Sequence, residues 1–511
     1  MRTDIRAVIL PLFLTLAGQS AGAQQPLSAI DWLNQNRPSP AAIAPNEPPT
    51  TENANRPVVS VVPLERGATR SVGLVPQRIT GLPGTLWSGS EPDALAQLIS
   101  DLPVEELPAM QTLLYKLLLA EAEQIPGDRG AQTLLLARID KLIALGALEP
   151  ARSLVEQAMP ERSAALFSRW FDVSLLTGAE DTACAVMVRA PHLAPSYSAR
   201  VFCTARAGGW QNAALMLESG HALGLIHNQE HALLARFLEL DNSEHSLPLI
   251  EPALVTPLVF RLREAVGEPL AAASLPRVYA GADLRDVAGW KPQLEAAERL
   301  SRSGALPANR LLGIYTARRP AASGGIWDRV EAIQRFDTAL KSRSTDAVSK
   351  TLPDAWHAMQ SVKLDVSFAQ TFAPDLLGLP LNGIPASDAY QVALLSPDYA
   401  MAAQHYREQA SRAPFLSGLA KGDVSGIVPP DPVATAIAEA FGPELAPREL
   451  TDLATKGQLG EAILRAMVLF DRGAKGDLNS LTRSLAAFRA FGLEDIARRA
   501  SLQLMLRNIE T

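Results

Sequence analysis

The stretch GALEPARSLVEQA, residues 146–158, decides the fold. A Gly opens it, an Ala follows five positions later, then an apolar Leu-Val pair, and a small residue closes it. The same order returns in GAEDTACAVMVRA from Gly178 and GGWQNAALMLESG from Gly208, so the Gly starts lie 32 and 30 residues apart. A helical hairpin repeated at that period needs this chemistry. Gly ends one helix where the backbone turns left-handed. The Ala lets the next helix approach its neighbour closely, and the apolar pair faces the shared core.

The register resembles the tetratricopeptide family, in which a turn Gly is followed by two small residues in the second helix. Gly146, Ala151 and Ala158 match, as do Gly178, Ala183 and Ala190, while Gly208, Ala213 and Gly220 match in size; Pro195 takes the place of the family's terminal Pro. The family's first-helix Trp-Leu-Gly-Tyr positions do not match, and the resemblance covers roughly residues 130–250. It implies an all-α protein, a right-handed α-solenoid of helix-turn-helix repeats, with an extended surface for partners. Weaker echoes occur at Gly457 with Ala462 and Gly492 with Ala497, and at Gly304, where Asn309 replaces the Ala. The helical text reads as TPR-like repeats over 91–266, a helical segment with long loops over 267–415 and C-terminal helical repeats or cap over 416–511, with breaks at 317–327 and 421–432. LLGLPLNGIPASD, residues 376–388, predicts a long ordered loop.

Composition agrees with helices. The 511-residue chain is 47% hydrophobic but only 5% aromatic, and Ala and Leu dominate. A formal net charge of -7, with no Lys/Arg cluster among aromatics, excludes a nucleic-acid binder. At the N-terminus, Arg2 and Arg6 precede the apolar run 7–18, which is too short to span a bilayer and stay. Small residues at 21–23 then predict a signal peptide cut after Ala23. No later apolar run reaches spanning length, so the mature chain is expected without a transmembrane segment, in the periplasm or secreted. Residues 24–90, rich in Pro, Asn, Ser and Thr, predict a disordered arm. Two islands interrupt it: 27–35, with Ile30, Trp32 and Leu33, and 72–87. Each either docks on a partner or folds back onto the helical body.

In an oxidising compartment Cys184 and Cys203 suggest one disulfide rather than two buried thiols. Pro191 and Pro195 mark a helix break at the midpoint between them, and residues equidistant from such a turn face one another.

Chemistry-bearing motifs are few. LIHNQEHALL, residues 225–234, holds His227, Glu230 and His231 in the H-x-x-E-H spacing of inverted zinc proteases. The repeat register places a first helix over 229–240 with Asn228 as N-cap, which leaves His227 outside the helix and makes Glu230 an ordinary first-turn acid. Nucleophile-elbow, P-loop and dinucleotide signatures are missing from the sequence. Helical superstructures also front some periplasmic lytic transglycosylases, and the chain is similar to their non-catalytic part. These features predict a non-catalytic periplasmic scaffold or chaperone for a cell-envelope assembly, binding a protein partner without a cofactor. Arg138, Lys141, Arg169, Arg200 and Arg206 are the groove candidates, with Trp32 on the arm. The alternatives are a zinc-dependent hydrolase using His227, Glu230 and His231, with His221 nearby, and a glycan-binding module stacking sugars on Trp170, Trp210, Trp290, Trp327 and Trp356.

Overall fold

A computed structural model describes residues 71–103, 105, 107–123, 128–239, 249–285, 288–405, 413–442 and 446–507. The signal peptide, its cleavage after Ala23, Trp32 and the Pro-rich stretch 24–70 lie outside the described residues. Contacts within the chain make Gly67–Thr511 one unit. Among the described residues there is no β-sheet, only two isolated bridges, Val72 to Ala122 and Val75 to Ala120.

Helices of eight or more residues are numbered here. The first five are α1 (Pro92–Asp101), α2 (Pro108–Leu119), α3 (Asp128–Leu145), α4 (Leu148–Gln157) and α5 (Ala164–Thr177). They continue with α6 (Glu180–Arg189), α7 (Tyr197–Arg206), α8 (Trp210–Ala222), α9 (Asn228–Phe237), α10 (Pro257–Ala265) and α11 (Trp290–Arg302). Next come α12 (Ala308–Thr316), α13 (Ile326–Lys341), α14 (Thr345–Gln360), α15 (Asp365–Leu376), α16 (Ile384–Leu395) and α17 (Ala413–Lys421). The last five are α18 (Pro432–Phe441), α19 (Arg448–Thr455), α20 (Leu459–Ala474), α21 (Leu478–Ala490) and α22 (Glu494–Arg507).

The Gly-Ala register is realised physically. Gly146, Gly178 and Gly208 carry φ of 81°, 75° and 86°, the left-handed conformation that ends a helix. Ala151, Ala183 and Ala213 are fully buried on the following helices. At Gly146 space is short as well, because a Cβ there would stand 2.5 Å from Leu300 Cδ2. From α3 to α10 each helix packs on the next. The disulfide joins α6 to α7, Cys184 to Cys203, with Cα atoms 4.7 Å apart and both side chains buried.

Packing between sequence neighbours is not the whole architecture. α2 packs on α22 and α1 on α20, so the first helices meet the last. The Ala109 amide donates to Gln503 Oε1 at 2.9 Å across 394 residues. On its other side α2 meets the end of α11, where Gln111 donates to the Arg302 carbonyl and the Tyr115 hydroxyl to that of Ser303. Ser303 Oγ in turn donates to the Leu145 carbonyl at 2.7 Å, tying the α3 terminus to the same junction.

Two expectations need correction. The arm does not reach residue 90: Val72, Leu82, Leu86 and Trp87 are buried, so the island 72–87 is folded onto the helical body. The Gly460 amide donates to the Leu86 carbonyl at 2.9 Å, and a Cβ at Gly460 would stand 2.5 Å from the Trp87 ring. Apolar residues among the Pro and Gly of this stretch win over its loop-like composition because α20 offers them a glycine-lined seat. The long loop expected over 376–388 shrinks to 377–383, because Pro385 sits in the first turn of α16, where a missing N–H costs nothing.

Candidate functional site

Where α2, the end of α11, the α14–α15 junction, the end of α20 and α22 converge, they leave a cavity of about 610 Å³. Ligand pockets commonly span roughly 300–1,000 Å³. The cavity is assembled from the first, middle and last parts of the chain, so it exists only because the ends meet. Its apolar lining includes Leu107, Pro108, Leu306, Pro307 and Val366. Pro108 opens α2 and Pro307 is the N-cap of α12, which fixes both rims as helix starts.

Charges on the walls are unevenly committed. Arg507 grips Asp365 in a two-pronged ion pair, with Nε 2.9 Å from Oδ2. Lys475 bonds Asp471 at 2.7 Å, and Arg277 bonds Glu105 from just outside the lining. Each of the three lining carboxylates therefore already has a cation. Arg302 touches Glu298 only at 3.8 Å. The exposed Lys363 ammonium has no hydrogen bond or ion pair among the described residues. Lys363 stands at the turn between α14 and α15 with a φ of 59°, and its carbonyl accepts from Arg507. Deeper in, burial pushes the Tyr115 phenol well above the usual range, against the pull of Arg277, so it stays a neutral donor.

The groove candidates divide. Arg138 and Lys141 face inward, not toward a partner, and this corrects the expectation for both. Arg138 is 3% exposed and donates to the carbonyls of Leu118, Val72 and Ala120, capping the end of α2 and holding the 72–75 segment beside it. Lys141 donates to the Ser100 and Leu102 carbonyls at the end of α1. Arg169 forms a two-pronged pair with Asp140, both oxygens at 2.9 Å, and Arg206 pairs with Asp181 and Glu180. Arg200 lies over the Tyr197 ring, 5.0 Å from its centroid. None of the five lines the central cavity.

The histidines form a different arrangement from the one their spacing suggests. His227, not Asn228, is the N-cap residue of α9 and makes no side-chain cap. Glu230 accepts from Ser198 at 2.7 Å, while His231 Nε2 faces Glu218 at 3.1 Å and its ring stacks on His221, centroids 4.2 Å apart. Among the described residues no three His, Cys, Asp or Glu side chains are grouped to hold a metal ion, so His227, Glu230 and His231 are not assembled as a zinc site.

The tryptophans fare similarly. Trp170, Trp290 and Trp356 are buried, Trp327 packs against Trp290, and only Trp210 is half exposed, beside Phe237. The glycan platform is therefore not built. No motif links the cavity residues, because Thr112, Arg302 and the pair Lys363 and Gln370 sit in three segments far apart in sequence.

Fold and cavity together define a class: an all-α protein of stacked helical hairpins whose terminal helices close on one another around a binding-sized cleft. Comparison with known protein families, curated proteins and solved structures finds no match for this chain. Among the described residues no helix is long and apolar enough to cross a membrane.

Proposed function

We propose that the chain is an exported, non-catalytic interaction protein of the cell envelope that holds a protein partner in its central cleft. The observation that carries this is the cleft itself: about 610 Å³, walled by helical segments from the first, middle and last parts of the chain, with apolar rims and the Lys363 ammonium, which has no partner among the described residues. Supporting it, the Gly-Ala register suits degenerate tetratricopeptide-like repeats, whose stacked hairpins present extended surfaces to partners. The disulfide suits an oxidising compartment. Residues 24–70 then serve as a tether that brings Trp32 to a second partner.

Chemical crosslinking in intact cells, followed by capture of the tagged full chain, tests the role. The expected result is one reproducible envelope protein whose yield falls when Thr112 and Gln370, both exposed on the cleft wall, are replaced by Trp to fill it. Capture of no protein above background, or of one indifferent to the cleft substitutions, overturns it.

A further inference from the structure

We infer that the central cleft receives a short acidic segment of the partner, in which carboxylates alternate with apolar side chains; this rests on the partner-binding role proposed above. Three observations lead there. Every lining carboxylate is already bonded to a cation of the chain itself, Asp365 to Arg507, Asp471 to Lys475 and Glu105 to Arg277. The wall has nothing left to offer a basic ligand. Positive charge, by contrast, is left over: Lys363 has no partner among the described residues and Arg302 only a loose one at 3.8 Å. That local surplus stands on a chain whose formal net charge is -7, so it is not a by-product of a basic surface.

The third observation decides between a bare anion and a peptide. The cations lie among apolar walls formed by Leu107, Pro108, Leu306 and Pro307, in a volume far larger than an inorganic ion. A phosphate would meet Lys363 and leave those walls wet. A peptide with Asp or Glu set between Leu or Val meets both, covering the apolar walls while its carboxylates reach Lys363 and Arg302. The side-chain amides of Gln360 and Gln370 on the same wall are placed to take its backbone groups.

Fluorescence anisotropy of the full chain with a labelled hexapeptide alternating Leu and Glu tests this, beside the matched Leu/Lys peptide and inorganic phosphate as competitor. The Leu/Glu peptide is expected to bind roughly tenfold or more tightly than the Leu/Lys peptide, and Lys363→Glu to weaken it by roughly tenfold, the effect of turning one attractive contact repulsive. Lys363→Asn, which keeps a residue tolerant of the left-handed turn, is expected to weaken it by roughly threefold. Equal affinity for the two peptides, or an unchanged affinity in Lys363→Glu with an unchanged melting temperature, overturns the inference, as does full competition by phosphate at equal concentration. A captured cellular partner that depends on Thr112 and Gln370, together with failure of the acidic peptide, sinks the acidic segment while the partner-binding role stands.

Discussion

Replacing Arg138 by Met removes a buried guanidinium that satisfies three carbonyls at once: Leu118 at 2.8 Å, Val72 at 3.1 Å and Ala120 at 2.8 Å. Each carbonyl left without its charged donor costs about 2 kcal/mol, so the gross loss is about 6 kcal/mol. Against that stands the burial of the charge itself. It pushes the Arg138 pKa down to about 10, a penalty of about 3 kcal/mol on the charged form, which Met does not incur. The net expectation is a loss of about 3 kcal/mol. Because Arg138 holds its proton less tightly in the fold than in the unfolded chain, stability changes with pH only above about pH 10, where it rises, and the loss in the variant is constant near neutrality. Arg138→Lys recovers part of it, since one ammonium reaches fewer carbonyls, as Lys141 does with two. Hydrogen exchange locates the damage. The amides of Leu74 and Val75, both bonded to the Leu119 carbonyl, should lose protection while those of α20 to α22 keep theirs. Unchanged melting and unchanged exchange at Leu74 in Arg138→Met would refute the capping role.

Removing the disulfide with Cys184→Ala and Cys203→Ala opens a loop with a separation of 19 residues and should lower stability by about 3 kcal/mol, read from denaturant melts; reductant on the native chain should reproduce the shift. Gly460→Ala drives a Cβ to 2.5 Å from the Trp87 ring and should cost about 1–3 kcal/mol, with a change in Trp fluorescence; a neutral result denies that the 82–87 segment seats on α20. Burial pushes the Asp172 carboxyl up to about 6, partly opposed by Arg169. A raised carboxyl binds its proton more tightly in the fold, so its contribution is full below about pH 4 and is lost as pH rises through about 6. Asp172→Asn should therefore melt higher than the native chain at pH 7.5 and level with it at pH 4, and the opposite order contradicts the burial.

Much of the local fold is legible in the chain because its signals are local. Gly146, Gly178 and Gly208 announce left-handed turns, the Ala five positions on announces a close helix contact, and two Cys placed about a Pro break announce their pairing. Closure of the array is not legible. The bond between Ala109 and Gln503 spans 394 residues, and neither residue belongs to a pattern. Arg138 and Lys141 mislead for a related reason. A cation on a helix reads as solvent-facing unless its acceptors are known, and here these are carbonyls freed where α1 and α2 end and the 72–75 segment crosses. The cleft inherits the same blindness, since its cations are brought together by closure rather than by spacing. The histidine spacing shows the converse. Helix register alone places His227 outside α9, and Glu230 and His231 turn to separate partners, Ser198 and Glu218.

The partner is expected in the cleft closed by the first and last helices, not on the apolar face at α8, where Leu215 and Leu223 are strongly exposed. A photo-crosslinking residue placed in turn at Thr112, Gln370, Lys475, Leu215 and Leu223 in living cells separates these surfaces directly. One discrete adduct from the three cleft positions and none from α8 is the predicted result. Adducts confined to Leu215 and Leu223, or the same adducts from all five positions, would contradict it.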